Sequence, residues 1–230
     1  MGSPYPLLNI FAMYLMIVKY VGPKFMQNRK PFDLNNFTRI YNLYQVISCI
    51  YIVSLIPAFL GSYNPYKCHS GKTEDPFLLK VSWFVIMLRT SEFLETIVFV
   101  LRKKQNQVSW LHIYHHIAVV SLYWSSFKYT AARNEIIIIE INTAVHIIMY
   151  SYYFLSSFNA FKSITNKVKS GITTMQITQL LIIMTHIIHG LARCNVSELY
   201  WLQLGNIVIL ITMFLQFYFK TYRKEKVKSC

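Results

Sequence analysis

The chain has 230 residues, of which 54% are hydrophobic and only 14% charged, with a formal net charge of +14. That is too apolar for an ordinary soluble domain of this size. A basic charge of this magnitude often marks a nucleic-acid module, but here Lys and Arg sit between apolar runs instead of forming a basic face, which argues against nucleic acid. An all-α integral membrane protein is expected, one membrane-embedded domain over residues 1–230 with no separate soluble part. The opening Met1-Gly2-Ser3-Pro4 has no basic segment ahead of its apolar stretch, and Pro6 breaks the myristoylation pattern, so neither a cleaved signal nor a lipid anchor is expected.

In chain order, hydropathy predicts transmembrane helices near 7–21, 37–60, 77–101, 108–127, 135–154, 171–191 and 200–219, followed by a tail over 220–230. The first has about 12 to 15 uninterrupted apolar residues against the roughly 20 that cross a bilayer, so it is expected to be short or tilted. Dividing the 23 basic residues between the two sides puts sixteen on one side and six on the other, with Arg89 inside a span. The richer side is expected to be cytosolic, which places the N-terminus in the lumen and the C-terminus in the cytosol. In the tail, Lys226 and Lys228 stand five and three places from the end, like a dilysine retrieval signal of the endoplasmic reticulum. A solvated basic tail lying against anionic headgroups explains them equally well. Cys68 and Cys194 both fall in loops on the oxidising lumenal side and are expected to pair as a disulfide.

Ionisable residues inside hydrocarbon cost about 2.5 to 3.5 kcal/mol each and normally face the bundle interior, where they carry function. The third span carries Arg89, Glu92, Glu95 and Thr96 on one helical stripe. The fourth opens with His112, His115 and His116, whose offsets of 3 and 4 converge three imidazoles on one face. In the fifth, Asn142, His146, Met149, Tyr150 and Tyr153 again make a single stripe, and the sixth begins with Thr173, Gln176 and Gln179. Counted from the cytosolic helix ends at about 1.5 Å per residue, all these groups lie within roughly 18 Å of that side. Four helices are therefore expected to present polar groups to one cytosolic-half cavity. Interhelical hydrogen bonding accounts for any one of these residues taken singly; their coincident depth favours a site. His186 and His189, in the lumenal half of the sixth span, read as satisfied interhelical groups.

Two chemistries fit the histidine cluster. A His-X-X-His-His box also occurs in membrane di-iron oxidases, but those use about eight or more histidine ligands, and this chain has 7 histidines, with His69, His186 and His189 badly placed. A single Zn²⁺ with three or four ligands stays open. The preferred metal-free reading uses imidazole as nucleophile or general base, its pKa near 6.5 suiting proton transfer at neutral pH. Glu92 or Glu95 would orient a histidine or pair with Arg89.

Asn28-Arg29-Lys30-Pro31-Phe32, His112-Ile113-Tyr114-His115-His116, the Asn-x-x-x-His-x-x-Met-Tyr segment from Asn142 to Tyr150 and the Thr-x-x-Gln-x-x-Gln segment from Thr173 to Gln179 occur in this order. Together they resemble the ELO-type very-long-chain fatty acid elongases, over nearly the whole chain. The resemblance implies condensation of a long-chain acyl-CoA with malonyl-CoA to 3-ketoacyl-CoA, CO₂ and CoA, inside a seven-helix bundle enclosing an acyl tunnel, with no bound cofactor. By position it implies that His115 and His146 take the acyl group or assist its transfer, with His112, His116, Asn142, Glu92 and Glu95 in support. Arg89, Tyr150, Tyr153, Gln176 and Gln179 are expected to face substrate, and Arg102, Lys103, Lys104 and Lys169 are candidates for the CoA phosphates. Membrane lipid and the other enzymes of the elongation cycle are the expected partners, and self-association into a homo-oligomer is compatible with the reading. The family pattern Lys-x-x-Glu-x-x-Asp-Thr is met here by Arg89, Glu92, Glu95 and Thr96, which keeps charge and changes geometry, because Arg is a rigid fork and Glu is one methylene longer than Asp. Glu140 has no counterpart in the pattern.

Overall fold

The computed structural model describes residues 3–56, 76–129, 135–194 and 198–223. Cys68, His69 and the tail lysines Lys226 and Lys228 lie outside the described residues. All regular structure among the described residues is helical, with no strand. Four helical segments, Tyr5–Met26, Ile136–Ser156, Asn159–Arg193 and Leu199–Tyr222, are long and apolar enough to cross a membrane. The chain is a multi-pass membrane protein. It divides into two compact units, Met1–Thr38 with Glu74–Lys128 and Arg39–Thr73 with Tyr129–Cys230.

In the first unit, α1 (Tyr5–Met16) passes through a π-helical turn, Ile17–Val21, into α2 (Gly22–Met26). The helical path is thus 22 residues, longer than its uninterrupted apolar run suggests. Pro23 has no N–H and its ring crowds the carbonyl four residues back, and the wider π turn just before it accommodates both demands. Gly22 is required by close approach: a Cβ there would stand 2.7 Å from the Ile17 carbonyl oxygen and 2.8 Å from Val100 Cγ1.

The third expected span is not continuous. It forms α4 (Pro76–Ser91) and α5 (Phe93–Leu101), separated at Glu92. There the backbone tightens to three-residue hydrogen bonds, Glu92 N–H to Arg89 O at 3.3 Å and Glu95 N–H to Glu92 O at 3.1 Å. The end of α5 is a Schellman cap, with Lys104 N–H donating to Phe99 O and Lys103 N–H to Val100 O. Lys103 occupies the left-handed position of that cap at φ 54°, where glycine is usual. α6 (Trp110–Tyr129) completes the unit. Its apolar centre consists of Tyr14, Val18, Phe93, Val100, Ile113 and Val120.

The second unit contains α3 (Asn35–Leu55) from Arg39 onward, α7 (Ile136–Ser156), a short 3₁₀ turn at Asn159–Phe161, α8 (Lys162–Arg193), α9 (Leu199–Tyr218) and a terminal π-helical turn, Phe219–Arg223. α8 begins nine residues before the expected start at Gly171, a glycine with open space around it that interrupts nothing. Helix α3 is patterned inside out. Its buried face carries Tyr41, Asn42, Gln45, Ser48, Cys49 and Ile52, whereas Ile40, Leu43, Ile47 and Ile50 are exposed. The same holds in α9, where Gln203 and Asn206 are buried and Trp201, Leu202 and Val208 are exposed. An apolar outer stripe over a polar inner one is the arrangement expected when lipid is the solvent. Arg39 joins helix ends within this unit: Nε donates to Ser157 Oγ at 3.2 Å and Nη2 to Ser157 O at 3.0 Å, with the guanidinium 4.3 Å above the Phe158 ring. Cys194 caps α8 and is disulfide-bonded.

Candidate active site

Three histidines project from the first turns of α6 in the first unit. The rings of His112 and His116, four residues apart, lie 4.4 Å apart at 77°, and His115 is 5.5 Å from His116 at 78°. The convergence expected from their spacing is thus realised, with His116 at the centre.

Helices α4 and α5 supply the charges beside them. Arg89 and Glu92 are both essentially inaccessible to solvent, and Arg89 Nη1 donates to Glu92 Oε1 at 2.5 Å. The other Glu92 oxygen is 3.7 Å from His116 Nδ1. One carboxylate therefore neutralises the guanidinium and faces an imidazole, so a proton taken up by His116 would meet a negative charge already in place. Of the two acidic candidates for pairing with Arg89, Glu92 makes a direct contact. Glu95 instead lies with His112 and His116, their ligand-capable atoms within 4.8 Å of one another. These three residues could hold a single divalent ion; His115 is not in that group. Thr96, fully buried, meets His112 Nε2 at 2.9 Å through its hydroxyl.

The basic residues after α5 divide by environment. Arg102 donates to Asn35 Oδ1 at 2.7 Å and Thr38 Oγ1 at 3.3 Å, and Lys103 Nζ donates to Gln27 O at 3.3 Å. With the Phe32 N–H to Leu101 O bond at 3.1 Å, these contacts fasten the Asn28–Phe32 segment to the end of α5. Partial burial, and then the Arg102 charge, hold the Lys104 ammonium below the usual lysine range.

In the second unit, Asn142, His146, Met149 and Tyr150 form one buried face of α7, as their spacing predicts. The His146 and Tyr150 rings are 5.8 Å apart, and Tyr150 is 5.9 Å from Tyr153 and 6.2 Å from Tyr41. Gln45 Nε2 donates to the Tyr41 hydroxyl at 2.9 Å. From α8, Gln176 Nε2 donates to Met149 Sδ at 3.2 Å, and Gln179 is buried further along the same helix. Lys169 and Thr173 meet the terminal turn: the Tyr222 hydroxyl is 3.2 Å from Thr173 Oγ1, donates to Lys169 O at 3.3 Å and has Lys169 Nζ 5.9 Å from its ring.

Sequence reasoning did not single out Tyr14, Tyr41, Gln45, Glu135, Gln203 or Tyr222. Tyr14 lies in an otherwise apolar run, its hydroxyl 2.9 Å from Thr96 Oγ1. Glu135 and Gln203 are both buried and joined at 3.1 Å. For Tyr14, Tyr41, Gln45 and Gln203 the signal available was a single polar or hydroxyl-bearing residue in a largely apolar helix, whereas Glu135 and Tyr222 stand at the ends of apolar runs.

The model of the GNS1/SUR4 (ELO) family matches residues 1–229. The chain is 33% identical over 235 residues to very long chain fatty acid elongase 4 of Homo sapiens, covering 98% of this chain and 74% of that protein. It is 31% identical over 239 residues to human very long chain fatty acid elongase 1, covering 98% and 84%. Against very long chain fatty acid elongase 5 of Xenopus laevis it is 31% identical over 226 residues, covering 96% and 76%. A polytopic helical membrane protein with a partly buried histidine box is thereby placed in a lipid-metabolic class. The chain belongs to the ELO family, and its function is fatty acid elongation.

Proposed function

We propose that the protein is the condensing enzyme of elongation, an acyltransferase joining a long-chain acyl-CoA to malonyl-CoA through a histidine-bound acyl group. The observation that supports this is the packing of His112, His115 and His116 beside a buried carboxylate, with His116 Nδ1 3.7 Å from Glu92 Oε2.

In the first half-reaction, a neutral imidazole nitrogen of His115 attacks the thioester carbonyl. A C–N bond forms, the C–S bond breaks, and the CoA thiolate leaves with the proton the imidazole gives up. In the second, the carbon–carboxylate bond of malonyl-CoA breaks, CO₂ leaves, and its electron pair remains on the α-carbon. That carbon attacks the acyl carbonyl, a C–C bond forms, the C–N bond breaks, and the departing imidazole nitrogen takes up one proton from solvent, which regenerates the neutral imidazole with 3-ketoacyl-CoA as product. His146 is assigned the same class of role, acyl acceptor or base, on its own helix. Glu92 faces the adjacent His116 and is assigned to orient it within the box. No resident cofactor takes part.

Arg102, Lys103, Lys104 and Lys169 are assigned to the CoA phosphates. Arg89, Tyr150, Tyr153, Gln176 and Gln179 are assigned to the walls that meet substrate. The membrane arrangement that goes with this chemistry has seven spans, a lumenal N-terminus and a cytosolic C-terminus, in the endoplasmic reticulum beside the other enzymes of the cycle. A Cys68–Cys194 disulfide is assigned to the lumenal side, and a Cys68→Ser variant with unchanged non-reducing mobility would refute it.

The deciding experiment incubates purified protein with a long-chain acyl-CoA and labelled malonyl-CoA, and follows 3-ketoacyl-CoA. Without malonyl-CoA, intact-mass analysis is expected to find the acyl group on the wild-type protein and not on His115→Ala, which makes no product. A product-forming His115→Ala enzyme would overturn the assignment.

A further inference from the structure

Thr96 stands between two side chains from different helices. Its hydroxyl is 2.9 Å from the Tyr14 hydroxyl of α1 and 2.9 Å from Nε2 of His112 on α6. Thr96 is fully buried and Tyr14 is 3% exposed. The Tyr14 ring is held by stacking on Phe93, centroids 4.4 Å apart at 18°, and Phe93 in turn meets the His116 ring edge-on at 6.2 Å. Tyr14, Thr96 and His112 thus form a hydrogen-bonded chain from the first helix to the histidine box.

Proton counting gives that chain a direction. Each hydroxyl has one proton to donate, and a neutral imidazole has one N–H and one bare nitrogen. If His112 donated from Nε2 to Thr96, Thr96 would donate to Tyr14. The buried phenolic O–H would then be left without an acceptor among the described residues, which carries the full cost of an unmade hydrogen bond. If Tyr14 donates to Thr96, the Thr96 proton goes to Nε2 and both hydroxyl protons have an acceptor. A phenol is also a better donor and a poorer acceptor than an aliphatic alcohol, which favours the same direction. Nε2 is then an acceptor, so the ring proton resides on Nδ1.

We propose that Tyr14, acting through the Thr96 hydroxyl, is a positioning residue that fixes His112 as the tautomer protonated on Nδ1. The phenol does not touch the reacting atoms; it decides which nitrogen of His112 is a donor inside the box. The effect on rate rests on the histidine chemistry proposed above. The tautomer itself does not.

The test uses full-length protein in lipid nanodiscs, labelled with ¹⁵N-histidine, with the His112 resonances assigned by their loss in His112→Gln. Wild type is expected to show the Nδ1–H tautomer. Tyr14→Phe removes only the phenolic oxygen, and Thr96→Val removes the hydroxyl at nearly constant shape. In both, His112 is expected to shift toward the Nε2–H form, with kcat lowered about three- to tenfold, the worth of one neutral hydrogen bond, and KM unchanged. Thr96→Ser is expected to restore the rate that Thr96→Val loses, and Tyr14→Phe added to Thr96→Val to lower it no further. An Nε2–H tautomer in wild type, or an unchanged tautomer in whichever of the two variants folds, overturns the inference. If wild type forms no 3-ketoacyl-CoA, the condensation reading fails while the tautomer still decides this one.

Discussion

Glu92 stands between a cation and an imidazole: one carboxylate oxygen is 2.5 Å from Arg89 Nη1 and the other 3.7 Å from His116 Nδ1. It also sits where α4 gives way to α5.

Because Arg89 and Glu92 are buried together, removing one partner strands the other charge. Arg89→Leu or Glu92→Leu alone is expected to destabilise the protein by about 3 to 5 kcal/mol. The double variant is expected to recover a large part of that loss, since two apolar side chains replace two charges. Thermal unfolding in detergent measures all three; equal losses for the singles and the double would refute the coupling.

The triad Glu95, His112 and His116 can be read as ligands or as acid–base groups. Acid–base chemistry predicts that prolonged dialysis against a strong chelator leaves the condensation rate unchanged. Loss of activity restored by added Zn²⁺ would show that the imidazoles work as ligands.

Lys103 adopts a left-handed backbone at φ 54° in the Schellman cap. Lys103→Gly is expected to stabilise the fold by about 1 kcal/mol, because glycine removes the Cβ penalty and the exposed Nζ contact to Gln27 contributes little. A lower unfolding midpoint would mean that this contact outweighs the backbone strain.

Lys104 carries a depressed folded-state pKa against an ordinary 10.5, caused first by burial and then by Arg102. In the interval between the folded and unfolded values the unfolded chain holds a proton that the native chain has released, so this group's contribution to stability rises with pH there. Substrate binding moves the opposite way. If Lys104 meets the CoA phosphates, KM for acyl-CoA is expected to rise as pH climbs through the alkaline range. Lys104→Arg, which keeps its charge, should displace that rise to higher pH. Superimposable KM profiles would exclude Lys104 from phosphate binding.

Much of the site was legible from helical period alone. The offsets among His112, His115 and His116, and those from Asn142 to Tyr153, place side chains on one face whatever the helix packs against, because 3.6 residues per turn is a local property. The apolar runs likewise mark the membrane helices, since lipid demands an internally hydrogen-bonded apolar segment. Glu92 was already named as a partner for Arg89 or a histidine. That it meets both depends on how the helix carrying His116 packs beside it, which the sequence does not state.

What only the tertiary structure decided are the partners on other helices. Tyr14 reads as one aromatic residue among apolar neighbours until α1 is rotated so that its hydroxyl meets Thr96. Arg102 reads as a basic residue at a helix end, and only the fold shows that it also donates to Asn35 Oδ1 and Thr38 Oγ1. Tyr222 follows the last apolar run and acquires meaning only beside Thr173 and Lys169. The sequence alone determined which residues share a polar face on α6 and α7. Rotation and approach between helices, which depend on packing summed over many residues far apart in the chain, decided which polar groups meet.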